Sequence, residues 1–143
     1  MTRPTTRIEV TRDIRTCRAL RREVFIDEQG VSEADEVDGL DDGAIHLLAY
    51  DGDTPVGSAR LLLKGQTGKI GRVCVRASMR GTGLGAALIR AALDVLREQP
   101  GVTVAALGAQ SHATGFYEKL GFRVVGDEFL DAGILHRHMV LDL

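Results

Sequence analysis

One stretch governs what this chain can fold into: Val73-Cys74-Val75-Arg76-Ala77-Ser78-Met79-Arg80-Gly81-Thr82-Gly83-Leu84-Gly85-Ala86-Ala87-Leu88. A β-branched strand runs into basic residues, then into Gly81, Gly83 and Gly85, then into an alanine-rich helix. Glycines without Cβ atoms adopt φ > 0 and let an anionic group approach the main chain closely. The N-terminus of the following helix adds unpaired N–H groups and roughly half a positive charge. Together these make a phosphate cradle, with Arg80 as a mobile counter-charge. A turn whose glycines serve only close packing is the plainer alternative, but three alternating glycines behind an arginine favour phosphate binding.

The owner of the phosphate stays open on spacing alone. Gly81, Gly83 and Ala86 formally satisfy the dinucleotide fingerprint G-x-G-x-x-[GA]. That motif should follow the first strand of a βαβ unit, with an acidic residue roughly 20 residues on at the tip of the next strand. Glu98 is nearest that spacing but falls at the end of the helix, so the match is poor. No Gly-Lys-Ser/Thr follows, which excludes a Walker loop.

With 143 residues, 44% hydrophobic and 27% charged, the chain suits one globular domain spanning residues 1–143. The formal net charge is −2 with both signs spread along the chain, so no electrostatic footprint for nucleic acid or an anionic membrane is present. No apolar run reaches the length of a membrane span, and Met1-Thr2-Arg3-Pro4 does not read as a signal peptide. The expected location is the cytoplasm. Cys17 and Cys74 lack metal spacing and occupy apolar positions, which reads as two reduced core residues.

Arg7 to Val10 suit a short strand, with Thr11 as N-cap and Asp13 at the positive end of the dipole of a helix carrying Ile14, Cys17, Leu20 or Arg21, and Val24 at helical spacing and ending near Phe25. Asp27 to Asp42 hold eight carboxylates and no basic residue. Such a run usually forms a solvated loop, but with Val31, Val37 and Leu40 it is expected to form a broken helix or loop lying on the domain. A calcium loop fails because Leu40 falls at a ligand position and Ala49 stands where the last Glu should be. Ala44 to Tyr50, Pro55 to Leu63 and Lys69 to Arg76 form an antiparallel meander, punctuated by Asp51-Gly52-Asp53-Thr54 and Gly65-Gln66-Thr67-Gly68. A helix from Gly83 to Glu98 follows, with Leu84, Leu88, Ala91, Ala92 and Val95 on its inner face, stopped by Pro100-Gly101. Val102 to Ala109 reads as a fully buried strand, parallel to the one before the glycine loop because a helical crossover joins them.

Ala113-Thr114-Gly115-Phe116-Tyr117-Glu118-Lys119-Leu120-Gly121-Phe122 is the second informative stretch. Ala113, Phe116, Tyr117 and Leu120 share a helical face, and Gly121 suits the C′ position. Arg123 to Phe129 and Ile134 to Leu141 close the chain as a hairpin around Asp131-Ala132-Gly133. No linker or internal repeat is visible. The expected fold is α/β (α+β): a mixed, mostly antiparallel sheet of about seven strands with about four helices.

These two stretches together resemble the GNAT superfamily of acetyl-CoA-dependent N-acetyltransferases. Arg80-Gly81-Thr82-Gly83-Leu84-Gly85 matches its [QR]-x-x-G-x-[GA] motif, and Ala113 through Phe122 its A-x-x-F-Y-x-x-x-G-F signature. More narrowly, Glu28-Gln29-Gly30, Asp35 to Asp38, His46, Gly108-Ala109-Gln110 and Gly133-Ile134-Leu135-His136 are similar to the ElaA/YjcF-like branch. The resemblance implies a splayed central parallel strand pair that admits the pantetheine arm of coenzyme A. It implies pantetheine contacts from the main chain of Val73, Cys74 and Val75, and pyrophosphate contacts from Arg80, Gly81, Thr82, Gly83, Leu84, Gly85 and Ala86. Tyr117 matches the acid that protonates the departing thiolate, and Gln110 takes the place of a cofactor-contacting Asn.

An amine acceptor arrives as an ammonium and must lose a proton, so a carboxylate or histidine should lie near the thioester. Glu28 is the first candidate, with His136 and Glu36 as alternatives. His136 and His138 share a strand face, but no third metal ligand is apparent. If the acidic segment borders the acceptor mouth, it would favour a cationic amine. The resemblance therefore implies acetyl transfer from acetyl-CoA to a primary amine of a small molecule or peptide, without metal, as a monomer or homodimer. A non-catalytic acyl-CoA-binding module and a nucleotide-binding domain are the competing expectations.

Overall fold

The computed structural model describes residues 6–143, so Met1 to Pro4 lie outside the described residues. Seven strands form one sheet: β1 (Thr6–Thr11), β2 (Ile45–Asp51), β3 (Thr54–Lys64), β4 (Thr67–Val75), β5 (Val104–Gln110), β6 (Arg123–Asp131) and β7 (Ile134–Asp142). Their order is β1-β2-β3-β4-β5-β7-β6. Every neighbouring pair is antiparallel except β4 and β5, which the helical crossover makes parallel. The helices are α1 (Ile14–Arg21), α2 (Glu33–Glu36), α3 (Leu84–Arg97) and α4 (Thr114–Glu118). The mixed sheet with a meander, a crossover and a closing hairpin is the one the sequence pattern predicts.

Helices cover both faces of the sheet. On one face, α3 buries Leu84, Leu88, Ile89, Ala92, Leu93 and Leu96 against Leu47, Leu61, Ile70, Ala105 and Met139. Each such leucine or isoleucine contributes about 1.5–3 kcal/mol by leaving water. Gly68 sits under this helix at the closed end of β4, where a Cβ would collide with Leu96. On the other face a smaller cluster packs Cys17, Leu20 and Val24 of the first helical region over Leu48 and Cys74.

Several local expectations are corrected. Asp13, not Thr11, caps α1, accepting from Thr16 N at 3.1 Å and from Thr16 Oγ1 at 2.6 Å. Thr11 is still in β1 and only accepts from Asp13 N. The first helix does not end near Phe25 but continues as a π-helix, Arg22–Glu28. β5 is not fully buried: Ala105 and Ala109 are buried in the main core while Gly108 is exposed, because the opposite face opens into a cleft. The Tyr117 helix is short, a 3₁₀ turn at Ser111–Ala113 leading into α4, and Phe116 is exposed while Ala113, Tyr117 and Leu120 are half-buried.

The acidic segment is the broken helix lying on the domain that its apolar residues suggest, but two of its charges are not solvated. It forms α2 and a 3₁₀ turn, Asp41–Gly43, and buries Glu36 and Asp41. Arginines from distant elements neutralise it. Arg21 Nε lies 2.6 Å from Glu36 Oε1, and its Nη atoms lie 3.0 and 2.6 Å from Asp41. Arg60 grips Asp38 at 2.8 and 2.7 Å and reaches Asp41 at 3.1 Å. A carboxylate run that looks solvated in sequence is here half of a buried ion network, which is stable only because nearly every charge meets an opposite one.

Candidate active site

β4 and β5 pair only at Thr67↔Val104, Gly68↔Ala105 and Lys69↔Ala106. Beyond Lys69, β4 keeps its β3 partners to Val75 and β5 keeps its β7 partners to Gln110. The two central strands therefore splay. A β-bulge drives β4 away: Ser58 pairs with Cys74 and Arg60 with Gly71, so Ala59 alone faces Arg72 and Val73. Arg72 takes φ of 50°, a left-handed conformation rare for a long side chain. Its guanidinium offsets that strain by donating to Asp35 O and Glu36 O at 3.1 Å each, so the bulge braces the end of α2.

The splay opens a cleft of about 540 Å³. One bank is the bulge, Arg72 and Val73, with Asp35, Glu36 and Asp38 behind it. The other bank is Gly108 and Gln110 of β5, backed by Phe129, His136 and His138 of the hairpin. Tyr117 lines the same cleft. Its ring is fixed edge-on between Phe116 (5.0 Å) and Phe122 (6.2 Å), and burial pushes its phenol pKa up. A phenol so placed stays protonated near neutral pH and can donate.

At the end of β4 a second hollow of about 260 Å³ is lined by Val75, Arg80, Gly81, Gly83, Gly85 and Ala86, with Leu84, Met79 and Phe116. Gly81 (φ 78°) and Gly83 (φ 87°) require the left-handed region. Gly83 is the N-cap of α3 and brings no side-chain cap, leaving first-turn amides for a ligand. A Cβ at Gly81 would meet nothing, so the space in front of the loop is open. Thr82 does not line the hollow; its hydroxyl donates to Met79 O at 2.5 Å and ties the loop down.

The other predicted residues divide. Val73 lines the main cleft and Val75 the glycine hollow. Cys74 points to the opposite face, where burial pushes its thiol pKa up to about 12. Gln110 lines the main cleft, with Nε2 3.5 Å from Gln29 Oε1. Glu28 lines neither cavity: its Oε2 lies 2.5 Å from Arg80 Nη2. His136 lines the main cleft with Nδ1 2.7 Å from Ile134 O, while His138 stacks on Phe129 at 4.0 Å. Among the described residues, no group of three or more His, Cys, Asp or Glu side chains is placed to hold a metal ion.

Arg60 and Arg72 were not singled out from sequence, although both line the cleft. A hint exists, since Arg60 interrupts the apolar run Val56 to Leu63 at a position where only a paired charge could be buried. Hydrogen bonds from Arg60 hold the Asp38 carboxyl down at about 2, against the opposing effect of burial. For Asp41 burial is the largest effect and pushes upward, but Arg21, Arg18 and Arg60 together outweigh it and hold its pKa well below the usual carboxylate range. The acidic segment does border the cleft, yet much of its charge is already matched.

Comparison with known proteins agrees with this geometry. The profile of the acetyltransferase (GNAT) domain family matches residues 13–143. The chain is 41% identical over 124 residues to the Uncharacterized N-acetyltransferase YjcF of Bacillus subtilis, covering 86% of this chain and 88% of that one. An acyl-CoA N-acyltransferase from Pseudomonas aeruginosa superposes with a TM-score of 0.84 at 31% identity, over 95% of this chain and 97% of that one. Escherichia coli ElaA superposes with a TM-score of 0.83 at 27% identity, over 95% and 99%. The splayed strand pair, the glycine loop at the head of α3 and Tyr117 at the cleft thus belong to a member of the GNAT acetyltransferase family, in its ElaA/YjcF-like branch.

Proposed function

We propose that this protein transfers an acetyl group from acetyl-CoA to a primary amine of a small molecule or peptide, by direct attack in a ternary complex. The observation that carries this reading is the edge of β4 left unpaired by β5, whose Val73 lines the cleft with Tyr117 and whose Val75 lines the glycine hollow. The fit to coenzyme A is chemical: uncapped amides and Arg80 suit a pyrophosphate, and an unpaired strand edge suits the amides of a pantetheine arm.

In this reading Arg80 and the backbone from Gly81 to Ala86 hold the pyrophosphate. The main chain of Val73 to Val75 orients the pantetheine, and one of its N–H groups polarises the thioester carbonyl. Such preorganised donors are commonly the largest catalytic contribution in acyl transfer. Gln110 stands across the cleft as a weaker contact to the arm. Tyr117 gives its proton to the departing sulfur, a role supported by its raised pKa. Cys74 takes no part as a nucleophile, since its thiol is buried on the other face and not ionised.

Exposed Asp35 and Asp131 on opposite banks favour a cationic acceptor; Glu36 and Asp38 add little because their arginines match them. Among the described residues no helix is long and apolar enough to cross a membrane. Coenzyme A release measured across diamines, amino acids, short peptides and anionic amines tests the reading. Turnover of a cationic amine is expected. A preference for anionic amines would overturn the acceptor class, and coenzyme A binding without release by any amine would point to a non-catalytic acyl-CoA-binding module.

A further inference from the structure

We propose that His136, through Nε2, is the general base that deprotonates the acceptor amine; the inference rests on the acetyl-transfer reading above. His136 stands on β7 opposite Gln110 of β5 and Phe129 of β6, on the cleft bank facing the bulge. Its Nδ1 is 2.7 Å from Ile134 O. A carbonyl only accepts, so Nδ1 carries the hydrogen, and in the neutral ring Nε2 is left with the lone pair. The neighbouring Phe129 ring, with centroids 5.7 Å apart, limits where the imidazole can turn.

The alternatives are placed less well. Glu28 is bound to Arg80 and lies outside the cleft. Glu36 is 4% exposed with Oε1 2.6 Å from Arg21 Nε, and taking a proton would cost that buried guanidinium one of its two carboxylate partners. His138 pairs with Gly108, two residues back along the strands from the Gln110 end where the chain turns into α4 and Tyr117. At about 3.3 Å per residue that sets it roughly 7 Å back along the strand from His136. Its ring face is also covered by Phe129.

The protons balance. His136 Nε2 takes one proton from the ammonium and releases it to solvent. The freed lone pair attacks the thioester carbonyl carbon, the C–N bond forms, and the C–S bond breaks as Tyr117 protonates the sulfur. The second nitrogen proton restores Tyr117, and the third stays on the amide. The titratable and charged groups that line the cleft with His136 are His138 on its own strand, Asp131 on β6, Tyr117 on α4, Arg60 on β3, Lys69 and Arg72 on β4, and Asp35, Glu36 and Asp38 of the acidic segment; β5 presents the uncharged Gln110.

The test compares wild type with His136→Gln and His136→Ala, using acetyl-CoA and the fastest amine of the panel. At a pH below the amine's own pKa, kcat/KM is expected to fall by about 10²–10⁴ with coenzyme A affinity unchanged. Because an already neutral amine needs no base, the deficit should shrink at least tenfold as pH rises toward the amine pKa. A loss under threefold, a deficit independent of pH, or a pH-reversible deficit in Glu28→Gln but not in His136→Gln would overturn the assignment. Imidazole ¹⁵N spectra of the wild type supply a readout that needs no acceptor: the Nδ1–H tautomer is expected, and the Nε2–H tautomer would overturn the proposal. Wild-type inactivity toward every amine would sink the acetyl-transfer reading and this one together, whereas activity unaffected by His136→Gln would sink this one alone.

Discussion

Arg80 and Glu28, 52 residues apart in the chain, meet at 2.5 Å between Nη2 and Oε2. The contact joins the glycine loop to the end of the π-helix that borders the cleft. Arg80 also reaches Val75 O at 3.2 Å, so one guanidinium touches the strand, the loop and the helix.

That geometry makes Glu28 a competitor of any phosphate for Arg80. Both side chains are partly open to solvent, where such a pair is worth about 0.2–1 kcal/mol. Glu28→Gln is expected to tighten coenzyme A binding, by at most about fivefold on that scale. Arg80→Ala should weaken it by roughly 10- to 100-fold, the loss of a charge-assisted hydrogen bond of about 1.5–3 kcal/mol. Isothermal titration with coenzyme A at fixed ionic strength checks both; a weaker Glu28→Gln complex would contradict the competition.

Tyr117→Phe removes one oxygen and keeps the ring that packs against Phe116 and Phe122. Turnover is expected to fall by about 10²-fold or more while melting temperature and coenzyme A affinity stay near wild type. Steady-state kinetics with calorimetry separates this from misfolding. Unchanged turnover would remove Tyr117 as the acid.

The buried network makes a prediction about stability. Arg21 is 1% exposed and serves both Glu36 and Asp41, so Arg21→Ala should cost about 3–5 kcal/mol by stranding carboxylates in the interior. The same network sets the acid limit. Asp38 and Asp41 have folded-state pKa values below those of the unfolded chain, so the unfolded state binds protons more readily there. Their stabilisation is complete above the ordinary carboxylate range and fades as pH falls from about 4 toward about 2. Urea unfolding across that window should show a steeper loss for wild type than for Arg60→Met, whose Asp38 no longer has this partner.

What could be read from the chain was local. Gly81 and Gly83 announce left-handed backbone ahead of a helix, and the residues between Leu84 and Leu96 repeat with helical period, because both signals act within a few residues. The acidic side of the cleft was not legible in the same way. Asp27 to Asp42 reads as solvated because its partners, Arg21, Arg60 and Arg72, come from three other elements. Whether a charge is buried depends on those meetings, and local composition does not record them.

By itself, the sequence determined the glycine loop at the head of α3, the crossover that makes β4 and β5 parallel, and a helix carrying Tyr117 after them. Each follows from backbone freedom, hydrophobic period or motif spacing along neighbouring residues. Only the tertiary structure decided where β4 leaves β5, through a bulge at Arg72 and Val73 held by α2, and which polar groups meet across the opening. It set Glu28 on Arg80 and His136 in the cleft, since the free energy of placing each charge comes from residues brought together only when the sheet closes.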